Sequence, residues 1–321
     1  ASEFYKLGLH DVYSISALHG LGTGDLLDAI VNSMPKPVET EEQEEEEGVR
    51  LALVGRPNVG KSSLLNALVG QERAVVSEIP GTTRDAIDVE MQVAGERLVV
   101  VDTAGVRRRG RIEQGIEKYS VIRSIRAIQR ANVVAVLIDP TEGVTAQDTH
   151  LAGYAASDAK GLVFVVNKWD LVPHTNDIKD AFIAQIRTEM RFAPYAPIVF
   201  TSAKERWHLD EVISTVMKID QVRHIRIPTA PLNDVVEEAV HAHGPAPFRG
   251  RTLRVYYVTQ ARVNPPTFVF FVNDTGLIHF SYQRFLENRL RQAFGFEGTA
   301  IRLVFRPKQK EEGESKTMRA R

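Results

Sequence analysis

The sequence predicts an α/β fold: a doubly wound, mostly parallel sheet followed by a smaller α+β domain. Three observations carry this. Apolar, strand-length runs at 51–54, 98–101, 133–138, 162–166 and 198–200 alternate with helical stretches, the pattern of strands joined by crossover helices. A glycine-rich loop, Gly55-Arg56-Pro57-Asn58-Val59-Gly60-Lys61-Ser62, stands between the first run and the helical Leu64-Leu65-Asn66-Ala67-Leu68. From Pro228 the order changes to helix, two strands, helix, strand on about 80 residues.

The loop fits Gly, four residues, Gly-Lys-Ser/Thr, in strand–loop–helix context. Such a loop turns its backbone N–H groups around an anion, and the helix N-terminus adds partial positive charge. Lys61 would reach β- and γ-phosphates, Ser62 would ligate Mg²⁺, and Gly55, Asn58, Val59, Gly60 and Ser63 would complete the phosphate cradle. Next in order come Ala94-Gly95, turning an edge hairpin between 88–93 and 96–101, and Asp102-Thr103-Ala104-Gly105 at the end of that second arm. There Asp102 would act on Mg²⁺ through water, and the Gly105 N–H would meet a γ-phosphate.

Asn167-Lys168-Trp169-Asp170 ends the run 162–166, and Ser202-Ala203-Lys204 ends the run 198–200. The Asp170 carboxylate can accept from guanine N1–H and its exocyclic amine, a donor pair adenine lacks. Asn167 and the Lys168 stem would pack the loop and the base, and a backbone N–H of Ser202-Ala203-Lys204 would reach guanine O6. Four such motifs in this order, each after an apolar strand, predict a guanine-nucleotide switch domain (G domain) over 49–222, binding GTP and GDP with ligands at the carboxyl ends of its strands.

Upstream, 11–31 repeats the logic of 198–216: strand, Ser16-Ala17, loop, amphipathic helix. Residues 1–34 therefore read as the last strand and helix of another such domain, without a phosphate loop of their own; an unrelated strand–helix pair is the alternative. Residues 35–48 read as a linker, since Pro35 and Pro37 stop the helix and seven Glu lie between Glu39 and Glu47. Downstream, 223–308 carries the α-β-β-α-β order of a K-homology-like module, and 309–321 reads as a polar, disordered tail. From Pro228 to Arg321 there are 14 Lys and Arg against 9 Asp and Glu, so either an RNA partner or a solvated basic face is expected. Phe268, Phe270 and Phe271 could stack on bases or fill the core.

Composition excludes several classes. The chain has 321 residues, net charge −1 and no cysteine, so no disulfide framework or thiol chemistry. No apolar run reaches the roughly 18–20 residues of a membrane span, and no signal peptide opens the sequence, so a soluble cytoplasmic protein without a membrane partner is expected. His208, His241 and His243 lack zinc-like spacing.

Gly-Arg-Pro-Asn-Val-Gly-Lys-Ser, Pro80-Gly81-Thr82-Thr83-Arg84-Asp85, Asp102-Thr103-Ala104-Gly105-Val106-Arg107-Arg108-Arg109-Gly110, the acidic linker and Pro265-Pro266-Thr267-Phe268-Val269 resemble the bacterial tandem-domain GTPase family EngA/Der. The departure is that most of the first G domain is missing. The resemblance implies a GTP hydrolase in large ribosomal subunit maturation that contacts ribosomal RNA, working as a monomer. It implies Thr83 as the switch threonine on Mg²⁺, with Thr82 the alternative. It also implies catalytic roles for Lys61, Gly105 and Asn58, the last holding K⁺ against the phosphates; the alternative is that Asn58 only stiffens the loop. Val106 stands where related enzymes place a water-orienting Gln, and the terminal module lacks a Gly-x-x-Gly nucleic-acid clamp. Arg107, Arg108, Arg109 and Arg111 read either as a basic contact surface or as a solvated loop. A GTPase serving RNA-modification chemistry, and a nucleotide-gated binding module with negligible turnover, are the competing readings. The absence of a C-terminal cysteine speaks against the first.

Overall fold

The computed structural model describes residues 13, 48–70, 76–80, 87–93, 95–103, 116–173, 175–245, 247 and 250–308; at 76–80, 87 and 116–120 it describes the backbone. Ala1–Gly48 and Val49–Arg321 are separate compact units. In the first unit Tyr13 is exposed, and the strand–helix copy and the acidic linker lie outside the described residues, as does the tail 309–321.

The second unit begins with strand β1 (Val49–Val54), whose side chains are almost all buried because helices cover both of its faces. A seven-stranded sheet forms around it in the order β2-β3-β4-β1-β5-β6-β7. The members are β2 (Val76–Pro80), β3 (Ile87–Val93), β4 (Glu96–Val100), β5 (Val133–Ile138), β6 (Gly161–Val166) and β7 (Ile198–Phe200). Strands β4, β1, β5, β6 and β7 run parallel, while β3 is antiparallel to both β2 and β4. The edge hairpin expected at 88–101 is thus present.

Strands β5 and β6 are buried at every position, the continuous apolar signature of a sheet covered on both sides. One covering layer is α1 (Lys61–Val69) with α5 (Leu209–Arg223), through Leu64, Leu65, Leu68, Val212 and Val216. The other is α2 (Ile116–Arg130), α3 (Ala146–Ser157) and α4 (Asn176–Glu189), through Ile128, Leu151, Phe182 and Ile186. Strand order reverses at β1, between β4 and β5, so the loop after β1 opens at the crevice where such sheets bind ligands.

The chain then forms α6 (Thr229–Ala242), β8 (Val255–Arg262), β9 (Thr267–Val272), α7 (Phe280–Phe294) and β10 (Arg302–Pro307). Its three-stranded sheet has the order β10-β9-β8, with β10 parallel and β8 antiparallel to β9. Phe268 and Phe270 are fully buried against α6 and α7, which settles them as core; Phe271 lies on the other face, stacked on Tyr257 at 4.3 Å. Among the described residues no helix is long and apolar enough to cross a membrane, and no cluster of three or more His, Cys, Asp or Glu is placed to hold a metal.

Candidate active site

The glycines after β1 are dictated by space. Gly55 has φ 146°, and a Cβ there would come within 2.7 Å of the Leu137 carbonyl oxygen. Gly60 has φ 98°, and a Cβ there would lie 2.2 Å from Asn167 Nδ2. Between them Asn58 adopts φ 64° with its side chain exposed, while Val59 is buried and pins the loop to the core. Helix α1 starts at Lys61, so its first main-chain N–H groups face the loop. Ser62 follows half-buried, and Ser63 is exposed. Lys61 Nζ donates to Gly55 O at 2.8 Å and Arg56 O at 2.6 Å, lying across the cradle where a phosphate oxygen would compete for it. Burial pulls its pKa down to about 8, partly offset by the Asp148 carboxylate.

Two residues of this neighbourhood escaped the sequence reading. The Arg56 guanidinium pairs with Glu142 at 2.5 Å and with Asp148 Oδ2 at 3.2 Å, and donates to Gly143 O at 3.4 Å. Asp148 is fully buried at the start of α3, where Oδ2 accepts from the Thr145 N–H at 3.1 Å and hydroxyl at 2.8 Å. The Thr145-x-x-Asp148 spacing of a capping box was the available signal.

The base-reading turns meet through one amide. Asn167 Nδ2 donates to Val59 O at 2.9 Å, and its Oδ1 accepts the Ala203 N–H at 3.0 Å. Phosphate loop and Ser202-Ala203-Lys204 turn are thereby tied together. The Ala203 N–H, on the turn expected to meet the base, is oriented by Asn167. Lys168 sits at φ 61° and its Nζ meets Asp139 Oδ2 at 2.6 Å. Burial alone would raise the Asp139 pKa, but hydrogen bonds from Lys168 and Thr141 outweigh it and hold the carboxyl below its usual range. Asp170 Oδ1 accepts the Ser202 hydroxyl at 2.5 Å, and Ser202 Oγ accepts the Glu205 N–H at 3.1 Å. Lys204 is exposed, 3.1 Å from Glu205. Trp169 packs edge-on to Phe200 at 4.5 Å, anchoring the turn beneath Asp170.

Asp102 follows β4 at φ 56°. Burial raises its pKa, against the pull of Arg123 and Arg130, with Asp88 adding to the rise. Oxygen donors suit Mg²⁺. Ser62, in the first turn of α1 after β1, and Asp102, after its sheet neighbour β4, supply a hydroxyl and a carboxylate, oxygen donors that suit that ion. Thr82, Thr83, Gly105, Val106 and Arg107, Arg108, Arg109 and Arg111 lie outside the described residues.

A phosphate cradle on the central strand, with Asn-Lys-x-Asp and Ser-Ala-Lys turns on the outer parallel strands, defines the class: a P-loop GTPase, here followed by a small K-homology-like module. Residues 50–168 match the family described as "50S ribosome-binding GTPase". Residues 226–306 match "KH-domain-like of EngA bacterial GTPase enzymes, C-terminal". The chain is 50% identical over 309 residues to the GTPase Der of Desulfitobacterium hafniense (strain DSM 10664 / DCB-2), covering 96% of this chain and 70% of that protein. It is 48% identical over 323 residues to the GTPase Der of Symbiobacterium thermophilum, covering 100% and 68%. To that of Moorella thermoacetica it is 50% identical over 304 residues, covering 95% and 69%. The chain belongs to the GTPase Der family and is a GTP hydrolase.

Proposed function

We propose that this chain is a GTP-driven switch that docks on the maturing large ribosomal subunit and its RNA in one nucleotide state. The observation that supports guanine recognition best is the Asn167 amide, which joins the phosphate loop to the Ser202–Lys204 turn beside Asp170. In this reading Gly55, Asn58, Val59, Gly60, Lys61, Ser62 and Ser63 hold the phosphates. Asn167, Lys168, Asp170, Ser202, Ala203 and Lys204 hold the base. Ser62, Thr83 and Asp102 hold Mg²⁺, which neutralises charge on the transferring phosphoryl group. Lys61 and the Gly105 N–H stabilise the same charge. Val106 can neither donate nor accept for water, so Asn58 with K⁺ supplies the missing stabilisation; its exposed, left-handed position at the loop tip leaves the side-chain oxygen accessible. The protein works in the cytoplasm as a monomer, with 1–34 the last strand and helix of a first G domain and 35–48 its tether.

Three measurements test this. The Asp170→Asn variant loses GDP affinity and gains affinity for xanthosine diphosphate, whose 2-oxo group turns the donor into an acceptor; unchanged preference for GDP removes the guanine assignment. Co-sedimentation with large ribosomal subunits differs between GDP and a non-hydrolysable GTP analogue; equal weak binding removes the switch. Turnover in KCl exceeds that in NaCl at equal ionic strength, and Asn58→Ala abolishes the difference.

A further inference from the structure

Asp88 and Arg130 hold the turn at Asp102 without belonging to any nucleotide motif. Strand β3 pairs Val89 with Val100 of β4, which places Asp88 where β4 leaves the sheet. There Asp88 Oδ1 accepts the Asp102 main-chain N–H at 3.0 Å. Arg130, in the last turn of α2, closes a fork on the same carboxylate: Nη1 to Oδ1 at 3.2 Å and Nη2 to Oδ2 at 2.6 Å. The Asp88 side chain is only 13% exposed, so this pair is more than a solvated surface contact.

The conformation it holds needs support. Asp102 lies at φ 56°, in a region that residues with a Cβ adopt uncommonly and at a cost. An N–H fixed from one side selects that turn over the extended alternative. Asp88 and Asp102 are also two carboxylates in close company, which the Arg130 fork makes tolerable. Arg123 and Arg126, on the same helix as Arg130, add to the positive field at Asp102.

We infer that Asp88 and Arg130 are positioning residues for Asp102. They fix the main-chain turn from which its carboxylate projects and tie that turn to the far end of α2. This rests on the reading that Asp102 acts on Mg²⁺.

The test is Mg²⁺ linkage of nucleotide binding, read by titration of a fluorescent GDP analogue with Mg²⁺ and with EDTA on the full chain. Asp88→Ala reduces the Mg²⁺ enhancement of affinity about tenfold or more, as expected for loss of one charge-assisted hydrogen bond, and leaves affinity in EDTA unchanged. Asp88→Asn keeps an oxygen for the Asp102 N–H and loses only the fork, so it falls between wild type and Asp88→Ala. Arg130→Lys falls there too, because an ammonium cannot form the fork. Asp102→Asn run in parallel separates the two levels. If it retains full enhancement, the Mg²⁺ reading of Asp102 fails. If it loses enhancement and Asp88→Ala does not, the positioning role alone is overturned. Equal losses in Mg²⁺ and in EDTA for Asp88→Ala also overturn it, since the pair would then only support the fold. If Asp88→Ala does not fold, Asp88→Asn and Arg130→Lys decide: wild-type enhancement in both overturns the inference.

Discussion

Asn167 shows how a single side chain sets the geometry of a site. It is 1% exposed, and each end of its amide satisfies a main-chain group of a different loop. Asn167→Ala leaves Val59 O and the Ala203 N–H unpaired, which costs about 2–4 kcal/mol and loosens both loops together. Denaturant unfolding and GDP titration should therefore fall in parallel. Gly60 is the counterpart from the loop side: Gly60→Ala drives a methyl against Asn167 Nδ2 and asks alanine for φ 98°. We expect GDP affinity to fall at least about tenfold, with strain of roughly 1–3 kcal/mol, and a fluorescent GDP titration checks it. Both residues were legible in the sequence because their motifs are contiguous. Their mutual contact was not, since it joins the ends of β1 and β6. The same holds for Arg56 with Asp148 and for Arg130 with Asp88: each partner alone reads as an ordinary surface charge.

At the scale of elements, the five parallel strands, the edge hairpin and the α-β-β-α-β order were readable from apolar periodicity. Element boundaries in the terminal module have local physical causes that periodicity does not carry. Strand β8 spans Val255–Arg262, and register shifts at Val255/Tyr257 and Gln260/Arg262 break its alternation. Helix α7 begins at Phe280 because its cap is His279, whose ring accepts the Ser281 N–H; histidine is not a residue one looks for there. What no pattern announced is how the loop after α7 grips the G domain. Gly298 O accepts the Leu162 N–H at 2.7 Å at the start of β6, and the Gly298 N–H donates to Tyr195 O at 2.8 Å before β7. The module therefore holds the entry ends of the two strands whose exit ends carry Asn167 and Ser202. Gly298 has φ 71°, and a Cβ would lie 2.2 Å from Ile219 Cγ1 of α5. Gly298→Ala should cost about 2–4 kcal/mol. Adding Ile219→Val or Ile219→Ala should recover part of that, a non-additivity a double-mutant cycle would measure.

At the scale of the molecule, the junction behaves as an interior rather than as a hinge. Arg223, at the end of α5, reads in the sequence as a basic residue suited to a helix C-terminus. In the structure it is 3% exposed. Its Nη1 donates to Ala159 O at 2.9 Å and Thr299 Oγ1 at 3.2 Å, and its Nη2 to Asn264 Oδ1 at 2.7 Å. Burial lowers its pKa to about 10, so it remains a cation at neutral pH, and these acceptors solvate it in place of water. Arg291 reinforces the same seam, donating to Phe296 O and Thr299 O at 2.9 Å each and lying 4.1 Å over the Tyr195 ring. Domain contacts within a chain are usually polar and loose; a seam with a buried guanidinium at its centre should instead unfold with both halves. Calorimetry of the full chain should show one transition for the G domain and module together. Arg223→Ala, leaving three acceptors short of a donor, should cost about 2–4 kcal/mol and split that transition in two. Arg223→Lys should not restore it, because one ammonium cannot reach acceptors on both sides at once. A single transition that merely moves to lower temperature in Arg223→Ala would mean that the Gly298 main-chain bonds alone couple the two halves.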